Sequence, residues 1–258
     1  MNREAALAAF DQQLRNAVRP SLGGGRFERA GRVIRCVAPS PDEWNGIDWS
    51  DLDESTADAA IAEQVAFFAG LGRGFEWKYY THDQPADLPD RLRAAGLESG
   101  QDEALMIADV ADIPTDLPAP AGIELREATD DEGLDLSRRV HDAVFGGDHG
   151  PMIAGMRQRL ADDPGALTVL VAMADGQPVS ASRIDFHEGT DFASLWGGGT
   201  LPQWRRRGIY RAMVAHRTRL AADRGFTYLR TDALPTSRPI LEKLGFIRLS
   251  TTIPFTTR

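Results

Sequence analysis

The stretch Thr200–Met213, TLPQWRRRGIYRAM, decides how this chain is read. Three arginines, Arg205, Arg206 and Arg207, stand directly before Gly208, and a helix-like pattern follows. A helix N-terminus leaves backbone N–H groups without intrahelical partners. Those donors and the helix dipole favour a bound anion. A glycine there lets a ligand approach the backbone closely. Arginines add forked donors suited to phosphate oxygens. A strand entering such a loop and a helix leaving it make a cradle for a diphosphate. The loop is neither a GxxxxGK[ST] phosphate loop nor a GxGxxG dinucleotide fingerprint. The competing interpretation is an arginine run solvated at a helix end.

The charge of the rest of the chain sharpens that contrast. Over its 258 residues the formal net charge is -9. Residues 1–120 hold 11 Lys/Arg against 21 Asp/Glu, and residues 121–258 hold 18 against 17. Binding a polyanion needs a broad basic face, so nucleic acid is excluded as the main partner. A single local cluster suits a small anion. The one cysteine, Cys36, forms no intrachain disulfide. The N-terminal stretch MNREAALAAFDQQLRNAV is amphipathic, with Glu4 and Asp11 interrupting it, unlike a signal peptide or membrane span. The expectation is a cytoplasmic soluble protein with no metal and no membrane partner.

Working outward from the arginines, Ile209 to Asp223 reads as a long helix. TYLRTDA follows as a strand, SRPILEKLG as a helix ended by Gly245, and FIRLSTTIPFTT as a last strand region. Upstream lie three strands, LTVLVAMA, PVSASRIDFHE and FASLWGGGTL, joined at Asp175-Gly176 and Glu188-Gly189. Before them come a strand from Ile123 to Glu127, a helix from Ala128 to Phe145 and a helix near Met152–Leu160. Pro114, Pro118 and Pro120 mark a stiff linker. The N-terminal half reads as a helix ending before Pro20, a Gly-rich turn SLGGGR, a strand from Arg32 to Val37 and a loop APSPDEWNGIDWSDLDE. A helix STADAAIAEQVAFFAGLG, strand FEWKYYT, helix ADLPDRLRAAGL and strand EALMIADV complete it. The division expected is a domain over 1–112, a linker over 113–121 and a domain over 122–258.

Two segments share an order of elements. AADRGFTYLRTDALPTSRPILEKLGF and AGLGRGFEWKYYTHDQPADLPDRLRAAGL both run helix, Gly-Phe, strand, Pro-bearing loop, helix, Gly. That points to two related halves. The first copy carries Asp51, Asp53 and Glu54 where the second carries its arginines, so only the second suits an anion.

The C-terminal half resembles the GNAT acetyltransferase family. The family's phosphate-loop pattern is [RQ]-x-x-G-x-[GA]. Arg205-Arg206-Arg207-Gly208-Ile209-Tyr210 matches it, except that Tyr210 stands where Gly or Ala is usual. Leu241–Phe246, LEKLGF, is similar to the family's last-helix motif, and the order of elements over 122–258 agrees. The resemblance implies an α/β (α+β) acyl-CoA N-acyltransferase fold, a mixed central sheet flanked by helices. With the repeat, it implies a tandem protein whose N-terminal half is a degenerate copy without the cradle.

It also implies acetyl-CoA as co-substrate. Backbone groups around Gly199, Thr200 and Leu201 are then expected to meet the pantetheine arm. Those from Arg206 to Arg211 are expected to hold the pyrophosphate, with Arg205 beside them, and Ser237 either contacts the arm or caps the following helix. The catalytic positions depart from the family. Ser194 stands where relatives place a carboxylate base, and Leu241 where they place a tyrosine acid. Leu234 replaces a frequent asparagine. Ser194 and Glu188 are the candidate catalytic residues; Asp191, His187, His141, Asp142, Asp148 and His149 are further polar groups nearby. Trp196 and Phe192 share a strand face with Ser194. Three functions stay open: acetylation of a small-molecule primary amine, acetylation of a protein or peptide amine, and non-catalytic acyl-CoA sensing. The acidic half would favour a cationic acceptor. The oligomeric state expected is a monomer or homodimer.

Overall fold

The computed structural model describes residues 1–20, 25–39, 43–128 and 130–257. Most of the expected SLGGGR turn, and three residues of the Pro- and Trp-bearing loop, lie outside the described residues.

Two compact units form. One comprises Asn2–Leu105, Asp232–Pro235 and Arg248–Arg258; the other comprises Met106–Thr231 and Thr236–Ile247. In chain order the elements are α1 (Arg3–Phe10), β1 (Arg19–Pro20), β2 (Arg26–Ala30), β3 (Val33–Val37), β4 (Gly46–Ser50), α2 (Ala57–Gly70), β5 (Glu76–Tyr80), α3 (Leu88–Ala94), β6 (Glu98–Ser99) and β7 (Glu103–Asp109). There follow β8 (Glu124–Ala128), α4 (Asp131–Phe145), α5 (Gly150–Asp162), β9 (Leu167–Ala174), β10 (Gln177–Phe186), β11 (Phe192–Thr200), α6 (Ile209–Asp223), β12 (Tyr228–Ala233), α7 (Arg238–Leu244) and β13 (Ile247–Thr256).

In the N-terminal unit the strand order is β1-β2-β3-β4-β5-β13, with β6 also pairing β13. Trp77 pairs with Ile47 on one side and Phe255 on the other. Trp77 and Phe255 pack with Ile61, Phe68, Leu88 and Leu92 in one core. Four strands were missed by the sequence pattern, β1 and β6 because each is only two residues long. β2 begins at the last residue of the stretch read as a turn and runs on through residues given no assignment, and β4 lies inside the segment read as loop. RFERA and GIDWS carry Arg, Glu, Gly and Asp, which mask the period-two signal that identifies a half-buried strand. A single turn of π-helix, Asp11–Arg15, carries Arg15 into the interior. There its guanidinium, 2% exposed, reaches Asp83 at 2.9 Å and Asp11 at 2.7 Å and lies over the Tyr80 ring.

In the C-terminal unit the order is β7-β12-β11-β10-β9-β8. β8–β9, β9–β10 and β10–β11 are antiparallel pairs, and β12 is parallel to β11. Every residue of β9 is buried, because helices cover both of its faces. Val169, Val171 and Met173 meet Leu134, Ile153 and Met156 of α4 and α5. Leu170, Ala172 and Ala174, pointing the other way by alternation, meet Ile209 and Met213 of α6. Burial of each such side chain contributes about 1.5–3 kcal/mol, and for Ile209 and Met213 that holds the first turns of α6 against the sheet.

Candidate anion cradle and catalytic face

The N-cap of α6 is Gly208, with φ 85° and ψ -5°, in the left-handed region that glycine adopts at little cost. It provides no side-chain cap, so the first N–H groups of the helix are left to an outside acceptor. Arg206 also has positive φ, 62°. A non-glycine residue there costs on the order of 1 kcal/mol or more, strain that concentrates at ligand sites. Around it, Arg205 donates from Nε to the Thr200 carbonyl at 2.9 Å, and the Arg207 guanidinium lies 4.6 Å from the Trp204 ring. Arg205, Arg206 and Arg207 are all exposed. The arginine segment therefore folds as an exposed, left-handed turn into a glycine-capped helix.

The strand that enters this turn has an open edge. β11 pairs with β12 from Phe192–Tyr228 to Ser194–Arg230, three residues, yet runs on to Thr200. On its other side β11 stays paired with β10 as far as Ser180–Thr200. The register slips between Ala181 and Arg183, so Gly197 and Gly198 together oppose Ser182. This is a β-bulge with its glycine in the left-handed region, φ 61° at Gly197. Of the residues expected to meet a pantetheine arm, Gly199 accepts the Ser180 hydroxyl at 2.7 Å on its carbonyl, and Thr200 holds Arg205. The Leu201 N–H is bonded to the Val179 carbonyl at 3.0 Å.

The triplet Gly197-Gly198-Gly199 is demanded by neighbours. A Cβ at Gly197 would stand 2.8 Å from His141 Nε2, one at Gly198 2.9 Å from Tyr210 Cε2, and one at Gly199 3.1 Å from Phe145 and Val144. Tyr210 thus lies against β11. Burial raises its phenol pKa, and a side-chain hydrogen bond with Ser237 opposes the rise. Ser237 makes no capping bond to α7, so the hydroxyl serves Tyr210 instead. Beside them, Arg211, Pro239, Ile240 and Lys243 line a cavity of about 330 Å³ between α6 and α7.

Arg217, two turns along α6, is fully buried. The apolar stripe of the helix gave no hint of this, since arginine breaks its pattern. The guanidinium donates to the Met213 carbonyl at 3.1 Å and the Arg183 carbonyl at 3.0 Å, with no carboxylate partner among the described residues. Burial lowers its pKa to about 10.

The opposite face of β10 and β11 is polar. Ser194, 1% exposed, is hydrogen-bonded to His187 Nε2 at 2.7 Å. Asp185, opposite Ser194 in the ladder, is buried and held by Arg159 and Arg183, each at 3.0 Å. Burial pushes the Asp185 carboxyl up, but Arg183, Arg159 and His187 together bring it below its ordinary value, so it stays ionised. The guanidinium groups of Arg183 and Arg230 lie 5.9 and 4.6 Å from the Trp196 ring. Phe192 packs on Tyr228 at 5.1 Å.

The other candidates disperse. Glu188 sits exposed in the turn between β10 and β11, while His187, its neighbour, points at Ser194. Leu241 is buried. Asp142 binds His149 at 3.0 Å, and Asp148 caps the Gly150 N–H at 2.8 Å. His141 reaches across to the Gly197 carbonyl at 3.0 Å. Among the described residues no helix is long and apolar enough to cross a membrane.

Comparison with known proteins places this geometry. Residues 135–246 match the Acetyltransferase (GNAT) family. No curated protein matches the chain. Among solved structures, the GCN5-related N-acetyltransferase from Kribbella flavida superposes with a TM-score of 0.72 at 17% identity, over 99% of this chain and 95% of that one. A GCN5-related N-acetyltransferase from Sphaerobacter thermophilus gives 0.61 at 12%, over 89% and 81%. A tandem GNAT protein from the clavulanic acid biosynthesis pathway gives 0.62 at 14%, over 97% and 86%. At these identities the likeness is one of fold, and it extends over nearly the whole chain.

Proposed function

We propose that the protein transfers an acetyl group from acetyl-CoA to a primary amine of a small molecule, a reading that starts from the match of residues 135–246 to the Acetyltransferase (GNAT) family. The observation that carries the reading is the open edge of β11, which leads directly into the glycine-capped N-terminus of α6. Backbone N–H groups of the first turn of α6 are suited to a pyrophosphate, with the dipole adding to their pull. Arg205, Arg206 and Arg207 add charge from the rim. The ladder between β11 and β12 ends at Ser194, and an extended arm would lie along β11 beyond it.

The chemistry asked of the site has three parts. The amine must be neutral when it attacks, the carbonyl must be polarised, and the thiolate must leave with a proton. Ser194 supports the reading as the residue at the point where β11 and β12 part. The acidic N-terminal half supports an acceptor bearing positive charge.

Thiol release from acetyl-CoA with separate panels of small amines and lysine peptides tests this reading. Small amines faster than peptides is the result it requires. Faster peptides would assign the protein-amine alternative, and tight binding without thiol release would assign the sensor.

A further inference from the structure

We propose that His187 is the group that takes the proton from the acceptor amine, with Ser194 holding its ring in place; this rests on the acetyl-transfer reading above. Three observations converge on His187. The hairpin fixes its backbone from both sides: its N–H donates to the Phe192 carbonyl at 3.3 Å, and its carbonyl accepts Thr190 N–H at 3.1 Å and Thr190 Oγ1 at 2.7 Å. Its side chain is fixed by Ser194 Oγ, 2.7 Å from Nε2. Ser194 is the last residue of β11 that pairs with β12, so the imidazole stands beside the point where the open edge begins.

Burial separates the two roles. Ser194 is enclosed, while His187 is part-exposed on the same face. The hydroxyl is therefore the support and the imidazole the reacting group. A base within hydrogen-bond reach of an orienting partner is the arrangement general-base catalysis requires. Burial pushes the Asp185 carboxyl up, but Arg183, Arg159 and His187 hold it below its ordinary value, so a negative charge stands on the same face as the imidazole. The charged and titratable groups on this face are Asp185 and Arg183 of β10, Arg159 of α5, Arg230 and Tyr228 of β12, and His141 of α4.

The step balances as follows. The acceptor arrives as an ammonium ion and gives one proton to the neutral imidazole. Its nitrogen lone pair attacks the thioester carbonyl carbon; the C–N bond forms as the C–S bond breaks. A second proton passes from the nitrogen to the departing thiolate, giving the amide and the free thiol. The imidazolium then returns its proton to solvent.

The test measures thiol release from saturating acetyl-CoA across pH, first with water alone and then with methylamine, glucosamine and lysine amide. It uses the full chain and the variants His187→Gln, His187→Ala and Ser194→Ala, with acetyl-CoA affinity determined separately for each. His187→Gln is expected to lower kcat about 100-fold or more and to remove the acidic limb of the pH profile, with affinity within threefold. Added imidazole should restore part of the His187→Ala rate, and Ser194→Ala should keep the limb at a lower kcat. A His187→Gln enzyme with the wild-type rate and profile overturns the proposal. So does bound acetyl-CoA that releases thiol no faster than free acetyl-CoA under every condition. Failure of the wild type to bind acetyl-CoA is a different result, read in the affinity measurement, and overturns the acetyl-transfer reading together with this one.

Discussion

His141 Nε2 in α4 stands 3.0 Å from the carbonyl oxygen of Gly197, the bulge residue of β11. Nδ1 faces the Ser137 carbonyl at 2.9 Å, with the Ser137 hydroxyl at 3.3 Å, and Nε2 faces the Gly197 carbonyl, so the neutral ring donates to one of the two carbonyls at a time. The buried ring thus bridges α4 and the kink at the open edge of β11.

Replacing that residue in His141→Gln should destabilise the protein by about 1–3 kcal/mol at pH 7.5. Burial lowers the His141 pKa below 6.5, and its bonds to Ser137 and Gly197 only partly oppose this. A histidine with a depressed folded pKa costs nothing well above pH 6.5. Below that value the unfolded chain binds a proton that the folded chain refuses, and stability falls. The variant lacks this penalty, so the melting-temperature gap between wild type and variant should narrow from pH 7.5 to pH 5. A constant gap would show that His141 titrates as it does in the unfolded chain, and a widening gap that its folded pKa is raised; either contradicts the expectation.

The Tyr210 ring and Gly198 are mutually fitted. A methyl group at Gly198 would meet Tyr210 Cε2 at 2.9 Å. Gly198→Ala should therefore cost about 1–3 kcal/mol. In the double variant Gly198→Ala, Tyr210→Ala most of that penalty should vanish, giving a coupling of 0.5 kcal/mol or more in a denaturant-monitored mutant cycle. Strict additivity would mean that the ring moves aside without cost.

The glycines around this site were differently visible in the sequence. Gly208 was recognisable, because a helix N-terminus after arginines has one strong chemical meaning. The WGGGT triplet was not, because the reason for each glycine is a side chain from α4 or α6, far away in the chain. The Ser194–His187 pair was half visible: both residues were candidates, but only the ladder, with Asp185 opposite Ser194, sets them 2.7 Å apart. β4 was missed because a five-residue strand containing Gly and Asp carries too little pattern. β9, long and continuously apolar, was read without difficulty.

Arg15 in the N-terminal unit tests the same reasoning on a buried charge. Asp83 is buried against it, and burial already pushes the Asp83 carboxyl up. Arg15→Leu leaves that carboxylate without its partner and should cost about 3–5 kcal/mol. Arg15→Leu combined with Asp83→Leu should recover a large part of the loss in urea unfolding. If the double variant is as unstable as the single one, the cost lies in the cation–π contact with Tyr80 or in the Asp48 carbonyl bond rather than in the stranded charge.

The cradle at Gly208 is the centre of the account, and calorimetric titration with acetyl-CoA, beside free CoA and beside the Gly208→Asp variant, tests it most directly. The account predicts micromolar binding to the wild type, about -8 kcal/mol, and at least a 100-fold loss in the variant with its melting transition retained, because a carboxylate then faces the pyrophosphate. Equal affinities for wild type and variant, or no binding at millimolar ligand, would contradict it and leave the three arginines as a solvated helix end.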